Sequence, residues 1–75
     1  MNKITIEQVK GIEKKDRIKI TWLNKDGQQV SKNTRFYGIE YNKYKEKNII
    51  IVYEPHKQKS AWEIEEFTEC LIEKL

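Results

Sequence analysis

The chain has few of the residues on which catalysis, metal binding and cross-linking depend. Its 75 residues include one cysteine, one histidine and three glycines. A single cysteine, Cys70, cannot form an intramolecular disulfide, and the partners of a zinc site are absent. The glycines, at positions 11, 27 and 38, are too scattered to form a phosphate-binding loop. We therefore predict no cofactor and no metal ion.

The two remaining candidates for a catalytic role, His56 and Cys70, lack the neighbouring groups that such a role usually requires. His56 follows Pro55 in a Lys-flanked segment, and Glu54 is its only near acidic neighbour. Catalytic and ligand histidines usually need an orienting partner and a second functional group. Cys70 has no base near it in the sequence, which is typical of a small packing residue rather than a nucleophile. We predict that the protein is not an enzyme and has no catalytic residues.

Long apolar runs are also absent. No stretch approaches the ~18 apolar residues of a membrane span, and the first ten residues, MNKITIEQVK, are too polar for a signal peptide. The lone thiol fits a reducing compartment. We expect a soluble, cytoplasmic protein without a membrane partner, folded as a single small domain over residues 1–75.

The charges are distributed unevenly along the chain. Residues 1–47 hold 12 Lys/Arg and 6 Asp/Glu, a net charge of +6, whereas residues 48–75 hold 3 and 6, a net charge of −3. The chain has 13 Lys and 11 Ile but only 2 Arg, a usage typical of an AT-rich genome. Such a small chain suits a phage or mobile-element product, a class that often inhibits or redirects a host or defence protein.

The first 27 residues predict a short helix and then a strand. Residues 5–8 fit a capping box with Thr5 as N-cap, and the helix would end by residues 14–16. Residues 17–23 alternate, with Ile18 and Ile20 pointing to one face. Asn-Lys-Asp-Gly at 24–27 predicts a tight turn.

Residues 28–53 predict more of an antiparallel sheet. A return strand begins at 28–30, residues 31–34 are polar enough for a bulge or second turn, and a strand covers 35–42. Gly38 inside that strand indicates a bulge or bend that would curl the sheet. After an exposed connector at 42–47, the segment 49–53 is apolar on both faces, which predicts a central strand covered from two sides. Residues 55–59 predict a loop. We expect one inner face lined by Ile18, Ile20, Tyr37, Ile39, Ile49 and Ile51.

Residues 60–75 allow two structures. As a helix capped by Ser60, they place Ala61, Ile64, Phe67, Leu71, Ile72 and Leu75 within an arc of about 140°. As β structure, Trp62 and Ile64 lie in a short strand, 65–67 form a turn, and Cys70 and Ile72 begin a closing strand. The local pattern favours the helix.

The hydrophobic pattern over residues 14–75 resembles a known small fold. The segments KKDRIKITW, RFYGIEY, IIIVY and WEIEEFTECLIEKL follow one another as the strands of SH3-like small barrels do. The resemblance implies a closed barrel with a one-turn helix between the last two strands, but no particular family and no single function. The predicted fold class is therefore α+β, mostly β. It is a curled antiparallel sheet of three to five strands, open or closed as an SH3-like barrel, with a short N-terminal helix and a C-terminal helix or helical turn.

The surface predicts a binding protein whose partner is a larger protein. Tyr is a frequent interface anchor, and the acidic segment 60–75, with five Glu and one Lys, carries a net charge of −4. The candidate contact residues form a basic, tyrosine-rich rim and an acidic terminal face: Tyr37, Tyr41, Lys43, Tyr44, Lys45, Lys47, Glu63, Glu66 and Glu69.

The alternative function is sequence-tolerant binding of single-stranded nucleic acid. Exposed tyrosines could stack on bases within a basic frame, although base-specific contacts favour Arg over the Lys that predominates here. Ile and Tyr on edge strands would also let the sheet pair with a second copy, so a homodimer is a further alternative. The additional basic residues of the nucleic-acid alternative are Arg17, Lys19, Arg35, Lys57 and Lys59.

Overall fold

The computed structural model describes residues 2–54 and 57–75, which form a short helix and an antiparallel five-stranded sheet. The spatial order of the strands is β4-β3-β2-β1-β5. The prediction of a mostly β protein with an antiparallel sheet of three to five strands is confirmed. In chain order the elements are α1 (Ile6–Val9), β1 (Arg17–Leu23), β2 (Gln29–Asn42), β3 (Lys47–Glu54), β4 (Lys57–Glu65) and β5 (Cys70–Lys74).

Strand β2 divides the sheet into two halves. Its first part pairs with β1 and its second part with β3, and the register shifts between Phe36 and Gly38. We call β5, β1 and the start of β2 the β1 half, and the end of β2, β3 and β4 the β3 half. Trp22 of β1 and Trp62 of β4 pack edge to face with ring centroids 5.3 Å apart, so the core faces of the two halves turn toward each other. The bulge predicted at Gly38 is confirmed.

The predicted interruption at residues 31–34 is wrong, because β2 pairs with β1 without a break from residue 29 to residue 35. Backbone pairing does not require apolar side chains, and Ser31 adds a side-chain contact of its own. Its Oγ lies 3.0 Å from Oγ1 of the buried Thr21 on the neighbouring strand. The polar segment therefore continues the ladder rather than ending it.

The core confirms part of the predicted inner face. All four residues of β3 from Ile49 to Val52 are buried, as predicted for a strand covered from both sides. Tyr37 is 39% exposed and lies on the outer face, so its assignment to the inner face is wrong. Ile39 pairs with Ile50 and lies on the core face as predicted, but it is also 39% exposed. The bulge after Phe36 turns that ring inward in place of Tyr37. The core cluster consists of Ile4, Val9, Ile18, Ile20, Phe36, Ile50, Val52, Ile64, Cys70 and Ile72.

Ile49 and Ile51 are buried on the opposite face from this cluster. In the pairing of β3 with β4, Ile50 lies beside Ile64, whereas Ile51 lies beside Glu63. Side chains of paired residues point to the same face of a sheet, so Ile49 and Ile51 lie on the outer face. The prediction that they share one inner face with Ile18 and Ile20 is therefore wrong.

The predicted C-terminal helix is also wrong, and the strand–turn–strand alternative is correct. Ile64 pairs with Ile50, and Ile72 of β5 pairs with Ile20 of β1. These long-range pairings override a helical periodicity that was only local. Phe67, in the turn between β4 and β5, adopts a left-handed backbone (φ 72°).

The sheet is open in the part of the chain that the structure describes. Strands β4 and β5 are outermost and are not paired with each other. The closed SH3-like barrel is therefore not confirmed.

The N-terminal segment covers one end of the sheet. The N–H of Ile4 donates to the carbonyl of Thr68 (2.8 Å), and the N–H of Phe67 donates to the carbonyl of Ile4 (2.7 Å). The predicted helix is present, but it ends at Val9, and the Thr5 side chain makes no capping hydrogen bond. The capping box is therefore not formed.

The turn predicted at residues 24–27 and the connector predicted at residues 42–47 are both present. In the first, Oδ1 of Asn24 accepts hydrogen bonds from the N–H groups of Asp26 and Gln28, each at 2.9 Å. The loop predicted at 55–59 is wrong for 57–59, which belong to β4. Pro55 and His56 lie outside the described residues.

Candidate interaction surface

The β2–β3 turn projects a tyrosine-rich and lysine-rich tip from the sheet. Oδ1 of Asn42 accepts hydrogen bonds from the N–H groups of Tyr44 (3.0 Å) and Lys45 (3.1 Å), a local bond pattern that closes the turn. Held in this way, Tyr44 is 91% exposed and Tyr41 is 63% exposed. We call this element, residues 41–47, the tyrosine hairpin.

A shallow cleft of about 330 Å³ lies beside the tyrosine hairpin. The buried side chain of Ile49 borders it on the outer face of the sheet. The cleft thus combines an apolar side chain with two tyrosines, one lysine and two carboxylates. Its lining residues are Glu40, Tyr41, Asn42, Lys43, Tyr44, Ile49 and Glu63.

Two lysines of the hairpin are engaged by β4. Lys45 donates to Glu65, and Nζ of Lys47 lies 3.8 Å from the same carboxylate. The hydrogen bond from Lys45, reinforced by its charge, lowers the pKa of Glu65, and the same bond raises the pKa of Lys45. Because both groups are exposed, the pairs are weak, but they tie the hairpin to its neighbouring strand. Lys43 lies instead beside Tyr44, with its Nζ 6.0 Å from the centroid of that ring.

Tyr37 lies apart from the hairpin, near the middle of β2. Its ring packs edge-on against Tyr53 with centroids 5.5 Å apart, and Nζ of Lys14 lies 4.6 Å from the ring centroid. The bulge at Gly38 places Tyr37 on the outer face beside β3. The sequence placed Tyr37 with Tyr41 and Tyr44 and missed the roles of Lys14 and Tyr53.

The acidic residues predicted to bind a partner have different surroundings. Glu63 is exposed and borders the cleft. Glu66 is half-buried and accepts hydrogen bonds from the N–H of Ile6 (3.4 Å) and from Nδ2 of Asn48 (3.2 Å), so it joins the N-terminal helix to β3. Glu69 is exposed and its backbone forms an isolated bridge with Lys3. The three carboxylates therefore do not form one acidic face.

Three residues of the nucleic-acid alternative lie on one face of the β1 half. Arg17 is directly opposite Arg35 in the register, and Lys19 follows two residues later on the same face. Nη1 of Arg35 donates to the carbonyl of Lys15 (2.9 Å). The side chains of Lys57 and Lys59, at the start of β4, lie outside the described part of the chain.

The described residues contain no group of three or more His, Cys, Asp or Glu side chains that could hold a metal ion. Among the same residues, there is no helix that is both long enough and apolar enough to cross a membrane. The Cys70 thiol is buried, and this burial raises its pKa above the ordinary value. A thiol in this environment is a poor nucleophile.

Comparison of the chain with family models, curated proteins and solved structures found no match in any of the three.

Proposed function

We propose that the protein is a small, non-enzymatic binding protein that covers a surface of a larger protein through the tyrosine hairpin. The observation that carries the proposal is the exposure of Tyr44 and Tyr41 beside a cleft bordered by Ile49. Neither tyrosine belongs to the core cluster. In a domain with so few apolar residues, two rings held away from the core are better explained by an interface than by folding.

The energetics support an interface of this kind. Tyrosine contributes a large, stiff contact area and is enriched among the residues that dominate binding energy. Burying apolar surface yields about 25 cal/mol per Å². The Asn42 turn also holds Tyr44 in place before binding, which reduces the ordering cost of association.

The proposal includes the origin and role suggested by composition. The predominance of Lys and Ile over Arg supports a phage or mobile-element protein of an AT-rich bacterium that inhibits or modulates a host or defence protein. The spatial order of the strands supports an SH3-like relationship of the fold. SH3-like folds serve many roles, so the fold itself adds nothing to the choice of partner.

Capture from a bacterial lysate with matched variants tests this proposal. The immobilised chain should retain a specific protein that the double variant Tyr41→Ala/Tyr44→Ala loses. Leu71→Ala is the control, because it removes another partly exposed apolar side chain, on β5. If wild type and the double variant capture identical sets of proteins, the hairpin is not the binding surface.

The runner-up, binding of single-stranded nucleic acid, is favoured by one specific observation. Arg17 and Arg35 are direct cross-strand neighbours, and like charges in that position repel each other unless an anion lies between them. A phosphate backbone would supply such an anion, and binding would weaken steeply between about 50 and 200 mM salt.

Titration of a labelled single-stranded oligonucleotide at these two salt concentrations tests the runner-up. Arg17→Gln/Arg35→Gln should weaken binding and reduce its salt dependence, whereas Lys25→Gln/Lys32→Gln, with the same charge change, should affect it less. An absence of binding at the lower salt concentration rejects this function.

A further inference from the structure

A second groove separates the two outermost strands of the sheet. It has a volume of about 440 Å³, and Trp22 and Trp62 both line it, together with Ile64 and Cys70. The tryptophans are only half-buried, although they pack against the core cluster. The groove therefore offers aromatic surface to a side chain that enters from solvent.

Side chains along β4 alternate in character beside this groove. Trp62 and Ile64 pair with Val52 and Ile50 and point to the core face, whereas Glu63 pairs with Ile51 and points to the outer face. A strand laid along β4 would match this alternation, because its side chains also point to the two faces in turn.

The backbone of β4 has room for such a strand. Among the described strands, β4 has a neighbour on one side only, which is β3. Its other edge borders the groove, and the N–H and C=O groups of an edge strand are able to pair with an extended peptide. Pairing of this kind supplies affinity, while the side-chain pockets supply specificity.

The charge around the groove selects the chemistry of the peptide. Glu63, Glu65 and Glu69 border it, and residues 60–75 carry five Glu and one Lys, a net charge of −4. Glu65 is already bound by Lys45 and Lys47, so recognition of a cation falls to Glu63 and Glu69. An anionic ligand such as nucleic acid would be repelled here.

We infer that the edge of β4 binds an extended peptide segment in which basic and apolar residues alternate. The apolar side chains enter the groove against Trp22 and Trp62, and the basic side chains lie beside Glu63 and Glu69. About five residues, at ~3.3 Å each, would follow the part of β4 that borders the groove. This groove shares Glu63 with the cleft beside the tyrosine hairpin, but Trp22, Trp62 and Glu69 line the groove alone. Variants of these residues and of the hairpin tyrosines therefore distinguish the two proposals.

Selection from a random-peptide library against the full chain tests the inference. The retained peptides should share alternating Lys/Arg and apolar residues. Trp22 and Trp62 are the only tryptophans in the protein, so titration with a retained peptide that itself lacks tryptophan should change the intrinsic emission. Retained peptides that are acidic or lack the alternation contradict the inference, as does an absence of enrichment.

Two charge reversals of equal size locate the binding. Glu69→Lys, at a residue that borders the groove but not the hairpin cleft, should raise the Kd of a retained peptide about fivefold, the effect of losing a surface ion pair at the upper end of the usual range. Glu13→Lys, between α1 and β1 and outside the lining of the groove, should leave the Kd unchanged. Equal affinity for the wild type and Glu69→Lys would overturn the inference. So would loss of binding in Tyr41→Ala/Tyr44→Ala, because that result assigns the peptides to the hairpin.

Discussion

The two halves of the sheet share a core but differ on their outer faces. In the β1 half, the outer face carries polar and charged residues such as Arg17, Lys19 and Thr21. In the β3 half, the outer face buries Ile49 and Ile51. The tyrosine hairpin and its cleft belong to the β3 half, so apolar surface outside the core and exposed aromatic residues occur together. Under the proposed function, the β3 half makes the contact with a partner, whereas the β1 half mainly completes the core.

The largest effects are expected where the halves do not differ, in the shared core. Ile20 and Ile50 are buried, one in each half. Truncation of a buried Ile to Ala costs about 2–5 kcal/mol, which is comparable to the whole stability of a domain this small. Ile20→Ala and Ile50→Ala should both be largely unfolded by circular dichroism at 25 °C. If one variant stays folded with an unchanged melting temperature, the halves do not share a core.

The outer faces should respond very differently to truncation. Ile51→Ala in the β3 half should lower the free energy of unfolding by about 2 kcal/mol, because it removes a buried side chain. Lys19→Ala, on the outer face of the β1 half, should change it by no more than about 0.5 kcal/mol. Urea denaturation of both variants measures the difference. Equal losses in the free energy of unfolding would contradict the difference between the two outer faces.

Two glycines sharpen the comparison between the β1–β2 turn and the bend of β2. Gly27 has a positive φ of 77°, whereas an added Cβ at Gly38 meets nothing within 4 Å. Gly27→Ala should cost about 1 kcal/mol, because L-residues disfavour that conformation. Gly38→Ala should be neutral, or stabilising by up to about 1 kcal/mol through the unfolded chain. Thermal melts of the two variants check the order, and a larger loss for Gly38→Ala would contradict the described bulge.

The smallest effect should come from the ion pairs that tie the hairpin to β4. The pKa of Glu65 is lowered by Lys45, so this carboxylate stabilises the fold above its ordinary pKa of 4.5 and the contribution is lost as the pH falls through the lowered value. Wild type should melt about 1–3 °C above Glu65→Gln at pH 7 and equal to it near pH 2.

A control variant separates the Lys45–Glu65 pair from the general effect of acid. Asp26→Asn removes a carboxylate from the β1–β2 turn, far from Lys45, and should not reproduce the pH-dependent difference. A constant gap between wild type and Glu65→Gln across the whole pH range would show that the pair does not form.

Sequence patterns predict the fold correctly where the pattern lies within a single strand or turn. The alternation around Ile18 and Ile20, the Asp-Gly turn and the continuous apolar run of β3 each depend on neighbouring residues, and all three were read correctly. The prediction of a C-terminal helix is wrong because two residues of that segment pair with strands far away in the chain. Ile64 pairs with Ile50, and Ile72 pairs with Ile20. Helical periodicity cannot reveal such pairings.

The candidate site was only partly accessible to sequence. Tyr41 and Tyr44 could be placed on the hairpin because the connector is short and polar. The grouping of Tyr37 with them failed because one bulge at Gly38 shifts every later side chain to the other face. Glu66 looked like one more surface acid, since its bonds to Ile6 and Asn48 depend on the tertiary fold.

Photo-cross-linking tests the central claim, the contact of the tyrosine hairpin with another protein, most directly. Benzoylphenylalanine would replace Tyr44 in one chain and Leu71 in a control chain, and both would be irradiated in the same bacterial lysate. The account predicts a discrete cross-linked protein from position 44 that is absent from position 71. Identical patterns from the two positions, or none from position 44, would contradict it.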